Sequence, residues 1–590
     1  MAFLRNLLAT ILGFFIATGI LFFGFLIFIS IMSSSDEEAL AIKDNSILEI
    51  DLDQPIEDYG GTYTAENFEY SESDYSGLFH ILKAIDIAKT DDKIKGISIH
   101  NTSGTQGGIA TIKALRDALI SFKESGKFVY SYGDMYTQKD YYLSSVADSI
   151  YINPIGDFEF KGLASEVLFF KDLQDNTGVK MEVIRHGKYK SAVEPFLQNS
   201  MSEANREQIT ALLTSVWNTI LDDVSNSRNI SKEQLNSIAD DLAARTPQKA
   251  LSTGLADVVA YQDEYESLLR NKSGLSDNDD LEFVDIFEYS DKKGRKAILN
   301  KPNNKIAVIF AQGEIMYGKG SNQVIGQEIM IESLRDARED DDVKGIVLRV
   351  NSPGGSALAS DIIWREIEIT KKEKPVYVSM GNYAASGGYY ISCGAEKIIA
   401  EPNTITGSIG VFGMLPNVKG LADKWGIHAE QVQTNKNAAG YSVFQELDGN
   451  TKEVILEGIE TIYETFVNKV AEGRNMTFEE VDAIAQGRVW SGTDAIKNGL
   501  VDKLGGLETT VNMLAEDKNI GDFTIETYPK YEVTLGEIII KNLTSPKTEL
   551  TQEAIKAQIG EETYQVIEQL KQFQEMKGIQ ARLPFELRIH

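Results

Sequence analysis

The 590-residue chain has little of what builds disulfides or metal centres. Cys393 is its only cysteine, so no disulfide can form within the chain. There are five histidines, and neither a His-Glu-x-x-His stretch nor a Cys-x-x-Cys pair occurs, so a zinc site has little support. We therefore expect neither a metal ion nor any other cofactor.

Positive charge is also scarce. The chain has 58 lysines and arginines against 88 aspartates and glutamates, a net charge of −30, and no basic block stands out. Because nucleic-acid binding requires a cationic surface, we expect no nucleic-acid partner. Charged residues make up 25% and hydrophobic residues 42% of the chain, a globular composition, and the length indicates several domains.

One long hydrophobic run lies at the N-terminus. No charged residue occurs between Arg5 and Asp36, and residues 7–32 are almost wholly apolar. A membrane span needs about 20 apolar residues. The alternative is a cleaved signal peptide, but the three serines that follow the run, at residues 33–35, form only a weak cleavage site. We expect residues 7–32 to be a transmembrane anchor, with the N-terminus in the cytoplasm and the remainder exported.

The two halves of the sequence repeat each other. The Tyr-Tyr-Leu-Ser run at 141–144 corresponds to Tyr-Tyr-Ile-Ser at 389–392, 248 positions further along. In the same frame Ser386 corresponds to Gln138, and Lys190 corresponds to Ala438. One copy therefore has a candidate serine without a lysine, and the other has the lysine without the serine. This pattern favours a Ser–Lys pair shared between two domains.

Each copy predicts an α/β domain. A strand, a glycine-bearing loop, a helix and another strand follow one another in both, which is typical of βαβ units on a parallel sheet. We place the first domain at about 46–265 and the second at 305–515, joined by a polar connector at 271–304. The tail at 528–590 contains one long helical pattern, 552–577, whose role the sequence does not indicate.

Ser386 occurs in an Ala-Ala-Ser-Gly-Gly stretch between a predicted strand and a predicted helix. A sharp turn there would expose the hydroxyl, and small neighbours would let a substrate backbone approach. The glycine loop at 351–355 follows the neighbouring strand, so the N–H groups of Gly355 and Gly387 are the natural donors to an oxyanion. Purely structural turns, with Ser356 as a helix cap, are the alternative.

Lys190 is the candidate base, since no histidine is placed for that role. Apolar residues surround it in the sequence, and burial of the amine would lower its pKa and make it a base. Two alternatives remain at this point. The lysine could be a solvated surface group, or Glu194 could hold it in an ion pair, which would raise its pKa.

Four motifs in order carry a resemblance to a known family. The chain resembles the long form of signal peptide peptidase A in the stretches at 189–196, 351–356, 384–389 and 406–411. The resemblance covers about residues 1–515. It implies two tandem domains of the Clp/crotonase type and a peptidase with a Ser–Lys dyad.

The resemblance also implies roles for individual residues. Ser386 would be the nucleophile, Lys190 the general base, and Ser408 the residue that orients the lysine amine. It implies a homotetramer at the bacterial inner membrane, with the catalytic domains outside the cytoplasm. The implied substrates are signal peptides left in the membrane after secreted proteins have been processed.

Two other function classes remain open from the sequence. A crotonase-like acyl-CoA enzyme would use the paired glycines without a nucleophilic serine. A catalytically silent membrane scaffold would use neither dyad residue. The sequence also leaves open whether Lys190 and Ser386 meet within one chain or between neighbouring chains.

Overall fold

A computed structural model describes most of the chain: residues 2–34, 42–52, 56–65, 71–73, 76–101, 104–105, 107–276, 279–296, 302–533 and 579–582. The predicted tail helix at 552–577 lies outside these residues. A helix, α1 (Ala2–Ser34), covers the predicted anchor. In the part of the chain that is described, no helix has the length and apolarity that a membrane crossing requires.

The first half is built on a parallel sheet. Its elements after α1 are β1 (Ser46–Ile50), β2 (Thr62–Ala65), β3 (Ser71–Ser73), α2 (Leu78–Ala88), β4 (Ile94–Asn101), α3 (Ile109–Lys123), β5 (Phe128–Gly133), α4 (Gln138–Ser144), β6 (Ser149–Ile152), α5 (Lys171–Thr177), β7 (Lys180–Arg185), a 3-10 turn (Ser191–Val193), α6 (Glu194–Leu197), α7 (Glu203–Arg228), α8 (Lys232–Asp240), α9 (Pro247–Thr253), β8 (Val258–Val259), α10 (Gln262–Ser273), β9 (Phe283–Asp285) and α11 (Ile286–Lys296). The sheet order is β8-β6-β5-β4-β1-β9, with every pair parallel.

The second half repeats this plan. Its elements are β10 (Asn304–Gln312), β11 (Glu314–Met316), β12 (Val324–Gly326), α12 (Gln327–Glu339), β13 (Val343–Ser352), β14 (Gly354–Ser356), α13 (Ala357–Thr370), β15 (Val376–Ala385), α14 (Gly387–Ser392), β16 (Lys397–Ala400), β17 (Ile405–Gly407), β18 (Phe412–Asn417), α15 (Lys419–Lys424), α16 (Gly449–Arg474), α17 (Phe478–Ile484), β19 (Val489–Ser491), α18 (Gly492–Lys497), β20 (Lys503–Leu504), α19 (Leu507–Asp517), β21 (Phe523–Tyr528), β22 (Lys530–Val533) and β23 (Ile579–Arg582). The sheet order is β19-β17-β15-β13-β10-β21, with β16 and β20 continuing from β15, and only β19 is antiparallel to its neighbour.

Both sheets are buried on two faces, which explains why their strands are runs of apolar residues rather than alternating ones. In β10, for example, every residue from Ile306 to Ala311 is buried. The first strand pair of each half also has a register shift at the same place, after Ser46 in one and after Lys305 in the other. The predicted α/β class with parallel sheets is confirmed, and the duplication extends to details of strand pairing.

The segment predicted to be a polar connector differs from that prediction. Within 271–304, β9 pairs with β1 and α11 continues the first half, with Ile286 and Tyr289 buried. Its polarity reflects an edge strand and the outer face of a helix. The second half has the equivalent edge strand in β21, which pairs with β10 and lies beyond residue 515.

The two halves exchange strands. From the first half, β7 joins a small sheet of the second half in the order β12-β11-β14-β23-β18-β7. In return, β22 from the end of the second half pairs with β2 of the first, in a sheet ordered β22-β2-β3. The antiparallel β7–β18 pair runs from Arg185 opposite Phe412 to Lys180 opposite Asn417. This pair brings the segment after β7 to the centre of the second half.

Candidate active site

Ser386 lies at the turn between β15 and α14. Its backbone has φ 57° and ψ −113°, a conformation that residues other than glycine rarely adopt and that is common at functional sites. Its N–H donates to the Gly407 carbonyl at 2.8 Å, and its own carbonyl accepts from the Tyr390 N–H at 2.8 Å. The side chain is fully buried. The predicted sharp turn is therefore present, held by β17 on one side and by α14 on the other.

Lys190 meets Ser386 within a single chain. Its Nζ lies 2.8 Å from Ser386 Oγ, 3.0 Å from Ser408 Oγ and 3.1 Å from the Ser408 carbonyl oxygen. The β7–β18 pairing carries the lysine across from the first half to this position. The structure thus brings the lysine of one copy and the serine of the other into direct hydrogen-bond contact.

Burial favours the neutral form of this lysine. Lys190 has no exposed surface, and this desolvation holds the pKa of its amine well below the usual range. Glu194 does not form the ion pair considered from the sequence. Its carboxylate instead accepts from Ser202 Oγ at 2.5 Å and from Asn205 Nδ2 at 3.1 Å. A neutral amine can accept the Ser386 hydroxyl proton, which an ammonium cannot.

Ser408 is the third member of the cluster. It follows β17, the strand that pairs with the end of β15, so strand pairing sets it beside Ser386. Its backbone also has a positive φ, 48°, and its N–H donates to the Arg488 carbonyl at 2.7 Å. Both of its oxygens lie within hydrogen-bond distance of Lys190 Nζ. Two contacts from one anchored residue restrict where the amine can point.

Several residues that support Lys190 were missed by the sequence reasoning. Gly487 lies so close that an added Cβ would be 2.7 Å from the Lys190 backbone nitrogen and 2.7 Å from its Cβ. The Arg185 guanidinium donates to the Lys190 carbonyl at 3.0 Å, and Gln208 Nε2 donates to the Tyr189 carbonyl at 2.9 Å. Gly487 and Gln208 come from segments further along the chain and Arg185 belongs to no local motif, so only the fold reveals these contacts.

The glycine loop borders the serine turn, as its position after the neighbouring strand predicts. A Cβ added at Gly354 would lie 2.8 Å from the Gly387 nitrogen. Gly354 has φ 99° and Gly355 has φ 153°. A Cβ at Gly355 would also lie 2.1 Å from the Ile315 carbonyl oxygen, so both conformation and crowding require glycine there. Ser356 caps α13 by accepting from the Ala359 N–H.

Gln138 and Ala438, the counterparts of Ser386 and Lys190, do not form a second dyad. Gln138 is buried at the start of α4, where its amide oxygen accepts from the Lys161 and Gly162 N–H groups at 3.0 and 2.9 Å. The preceding Thr137 has an ordinary φ of −68° and caps the helix. Ala438, the counterpart of Lys190, lies in an exposed loop. Among the residues of the first half that the structure describes, there is therefore neither the strained turn nor a cluster of catalytic groups.

A buried ion pair between the two halves contacts β15, the strand that leads to Ser386. Arg349 on β13 contacts both carboxylate oxygens of Asp58, with distances of 3.2 Å and 3.1 Å, and both side chains are almost fully buried. The same guanidinium donates to Ser379 Oγ and to the Met380 carbonyl, both at 2.9 Å. These two residues lie on β15, which ends at the Ser386 turn. Asp58 of the first half is therefore linked through Arg349 to the strand that ends at Ser386.

Comparison with known proteins adds an independent finding. The model of "Peptidase family S49" matches residues 121–276 and 368–521, one stretch in each half. The chain belongs to this peptidase family. It is accordingly a serine protease with two repeats of the family's domain, as the sequence predicted.

Individual relatives agree with this family assignment. The chain is 35% identical over 552 residues to Protease 4 of Haemophilus influenzae, covering 89% of each protein. It is 37% identical over 493 residues to Protease 4 of Salmonella typhi, covering 82% of the chain and 79% of that protein. A match to the putative signal peptide peptidase SppA of Enterococcus faecium, at 34% identity, covers 41% of the chain and 72% of that shorter protein.

Proposed function

We propose that Ser386 and Lys190 form the catalytic dyad of this protease. The observation that carries the proposal is the 2.8 Å contact between a fully buried lysine amine and the hydroxyl of a serine in a strained turn. A general base must lie within hydrogen-bond reach of the proton that it removes, and a neutral amine is required to accept it. The 2.8 Å distance meets the first condition, and the burial that lowers the pKa of the amine favours the second.

The proposed reaction has two halves. Lys190 takes the Ser386 proton as Oγ attacks the scissile carbonyl carbon, and the resulting oxyanion accepts hydrogen bonds from the N–H groups of Gly387 and Gly355. The lysine then gives the proton to the leaving amine, which departs as the C–N bond breaks. Water hydrolyses the acyl-enzyme with Lys190 again as base, which regenerates the serine hydroxyl. No metal ion takes part.

Ser408 acts in this scheme as a positioning residue. Its hydroxyl and carbonyl oxygens both lie near Lys190 Nζ, at 3.0 and 3.1 Å. Because they accept two amine hydrogens, the nitrogen lone pair is left directed toward Ser386 Oγ. The role proposed from the family resemblance therefore has a direct physical basis.

The substrates are proposed to be signal peptides that remain in the membrane after cleavage. The resemblance to signal peptide peptidase A and the name of the Enterococcus faecium relative support this substrate class. Small or apolar side chains next to the scissile bond are expected, since the apolar core of a signal peptide offers few others.

Residues 7–32 are proposed to anchor the protease in the bacterial inner membrane. The uncharged run between Arg5 and Asp36 supports this location, as does the exposure of the apolar side chains described in α1, such as Phe15 and Leu21. Because the basic Arg5 precedes this run, the catalytic halves, each of the Clp/crotonase type, are expected outside the cytoplasm.

A homotetramer is proposed as the working form. Apolar side chains are exposed on one loop of the second half, at Trp425, Ile427 and Val432. Exposed apolar clusters commonly mark surfaces that other proteins or membranes cover. Mass measurement in mild detergent checks the assembly, and a monomer at micromolar concentration would contradict it.

Labelling of Ser386 by a small fluorophosphonate tests the proposed dyad. We expect the parent chain to be labelled and to cleave a synthetic signal peptide, and Ser386→Ala to do neither. Lys190→Ala should lose at least about a thousandfold in labelling rate and in kcat/KM. Lys188→Ala is the matched control, because this lysine is exposed two residues away and should leave both rates unchanged.

The same experiment can contradict the proposed dyad. Cleavage retained in Ser386→Ala would show that another residue is the nucleophile. A parent chain that is neither labelled nor active would show that this site is not the catalytic one. Labelling of Lys190→Ala at the parent rate would show that the lysine is not the base.

A further inference from the structure

Three residues of the second half, 486–488, connect the proposed base with the residue that orients it. The first carbonyl of this segment accepts a hydrogen bond from the Tyr189 N–H at 2.8 Å, and the last accepts one from the Ser408 N–H at 2.7 Å. Tyr189 comes directly before Lys190 in the chain. A single segment therefore binds the backbone beside the lysine and the backbone of Ser408 at the same time.

The backbone of this segment has an unusual conformation. Gln486 has φ 55° and Gly487 has φ 82°, and residues other than glycine rarely adopt such values. A strained backbone persists only where its surroundings hold it in place. Within the second half, Gln486 Nε2 donates to Asp482 Oδ1 at 2.6 Å, and the Gly487 N–H donates to the Ile409 carbonyl at 2.8 Å. These contacts hold the segment to its own half, so its position relative to the first half depends on further contacts.

The Arg488 side chain reaches the first half. Its Nη1 lies 2.9 Å from Glu207 Oε1 on α7 and 3.2 Å from the Tyr189 hydroxyl oxygen. Its guanidinium carbon lies 4.8 Å from the ring centre of Tyr189 and 4.4 Å from that of Trp490. The Tyr189 hydroxyl also lies 3.2 Å from Glu207 Oε2. Tyr189, Glu207 and Arg488, which we call the Arg488 cluster, therefore contact one another across the boundary between the halves.

Arginine is suited to this position, because its planar group can stack on aromatic rings and donate to a carboxylate at once. An isolated ion pair on the surface contributes little, but this guanidinium contacts an acid and two rings, and its side chain is only 19% exposed. The Arg488 cluster fixes the Tyr189 side chain, while residues 486–488 fix its N–H and Gln208 Nε2 fixes its carbonyl. Every polar group of the residue before Lys190 is thus held.

We propose that Arg488 is a positioning residue that fixes the lysine segment of the first half against the serine-bearing second half. The inference rests on the proposed Ser–Lys dyad. With the Arg488 cluster formed, Lys190 Nζ stays at hydrogen-bond distance from Ser386 Oγ and out of contact with water. Without it, residues 486–488 lose their side-chain attachment to the first half, and the amine moves and becomes hydrated. The base is then protonated more readily and is aimed less well at the serine.

The pH dependence of kcat/KM separates this role from a merely structural one. Burial lowers the pKa of the Lys190 amine, so entry of water raises that pKa and moves the midpoint of the profile to higher pH. The charged groups around the lysine segment are Arg185, Lys188, Glu194, Glu207 and Arg488. In Arg488→Ala we expect the midpoint to rise and kcat to fall by about tenfold with KM near the parent value, because the base is displaced while the glycine loop is unchanged.

Glu207→Ala removes the partner on the other half. We expect a smaller loss in kcat and again a higher midpoint, since this carboxylate is half-exposed. A direct effect of charge would have opposite signs in the two variants, because loss of a nearby cation raises the pKa of an amine and loss of a nearby anion lowers it. Shifts in one direction therefore indicate displacement of the lysine. In the double variant the loss should equal that of Arg488→Ala alone, because both residues act through one contact.

Arg228→Ala is the matched control. Arg228 is also a paired arginine, with its Nη2 2.6 Å from Asp257 Oδ1, but both residues belong to the first half. This variant should lower the melting temperature and leave kcat and the midpoint at the parent values. All variants are measured in the full chain with a short fluorogenic peptide that has no titratable group. The rate of Ser386 labelling by a small fluorophosphonate should follow kcat/KM in each of them.

A midpoint and kcat at the parent values in Arg488→Ala, or midpoint shifts of opposite sign in the two single variants, would overturn the inference. If Arg488→Ala does not fold, Glu207→Ala decides alone: a higher midpoint supports the positioning role, and an unchanged or lower one overturns it. Absence of Ser386 labelling in the parent would instead refute the proposed dyad.

Discussion

Lys190 Nζ and Ser386 Oγ lie 2.8 Å apart although 196 positions separate them in the chain. Each belongs to a different copy of a duplicated domain. The contact exists because β7 of the first half pairs with β18 of the second and because β17 holds the serine turn. This chain depends on that exchange, because Ala438, the counterpart of Lys190 in the second half, lies in an exposed loop.

The pH dependence of activity should follow Lys190. Burial lowers the pKa of its amine well below the usual lysine range, and only the neutral form is a base. We expect kcat/KM to rise with pH through this lowered pKa and then to level off. A profile measured with a peptide that has no titratable group checks this. Activity that falls as pH rises over that range would contradict a neutral lysine base.

The same burial should affect stability. Since the folded pKa is lower than the unfolded one, the unfolded chain binds more protons between the two values, and the free energy of unfolding rises with pH across that window. In Lys190→Met this contribution should be absent, so its stability should vary less with pH between the lowered pKa and the ordinary lysine range. Chemical denaturation at several pH values measures the difference, with Lys188→Met as the exposed control.

Ser408→Ala should reduce kcat by about ten- to a hundredfold and leave KM close to that of the parent. The reason is that the variant removes one of the two acceptors for the lysine amine and leaves the glycine loop at Gly354 and Gly355 unchanged. Ser408→Gly also lacks the hydroxyl but suits the positive φ of this position, so a loss of similar size is expected there and would separate the missing acceptor from backbone strain. A kcat near that of the parent in both variants, or a change confined to KM, would speak against a role in orienting the amine.

Gly487→Ala should impair catalysis by displacing the base. The added Cβ would lie 2.7 Å from the backbone of Lys190, so the lysine segment has to shift. Gly426→Ala is the matched control, because Gly426 also has a positive φ, 71°, but has nothing within 4 Å of the added Cβ. We expect the labelling rate of Ser386 to fall in the first variant and to remain near the parent value in the second. Equal labelling rates in the two variants would show that a Cβ at position 487 does not impair catalysis by crowding Lys190.

Asp58→Ala should destabilise the protein by about 3–5 kcal/mol, because it leaves the buried Arg349 guanidinium without its charged partner. The exposed pair of Lys497 and Asp494 offers the comparison, and Lys497→Ala should change the free energy of unfolding by less than about 1 kcal/mol. Urea denaturation monitored by tryptophan fluorescence measures both. Equal effects in the two variants would show that the buried pair contributes no more than a surface pair.

The sequence predicted the parts of this site that depend on local motifs and missed those that depend on the fold. Ser386, Lys190 and the glycine loop could be named because the duplication exposes them. Gly487 and Gln208 support the lysine from remote segments, so no spacing rule indicates them. The sequence predicts a connector at 271–304, because an edge strand such as β9 and the outer face of a helix carry the same polar residues as a linker.

Strand β23 in the tail also could not be predicted from the sequence. Ile579–Arg582 is four residues long and has no motif of its own. Its position is set by pairing with β14 and β18, and pairing between backbones is nearly independent of sequence. The sequence therefore does not indicate this strand, which is defined by its antiparallel pairing with the loop of Gly354 and Gly355.

Complementation between two inactive chains tests the central claim most directly, namely that the two halves of one chain together form the dyad. Lys190→Ala and Ser386→Ala would be purified, mixed and also produced together, and cleavage of a synthetic signal peptide would be compared with that of the parent. Because both dyad residues must come from the same chain, we predict no activity above that of the separate variants. Recovery of activity in the mixed or co-produced sample would contradict the account, since it would require Lys190 of one chain to serve Ser386 of another.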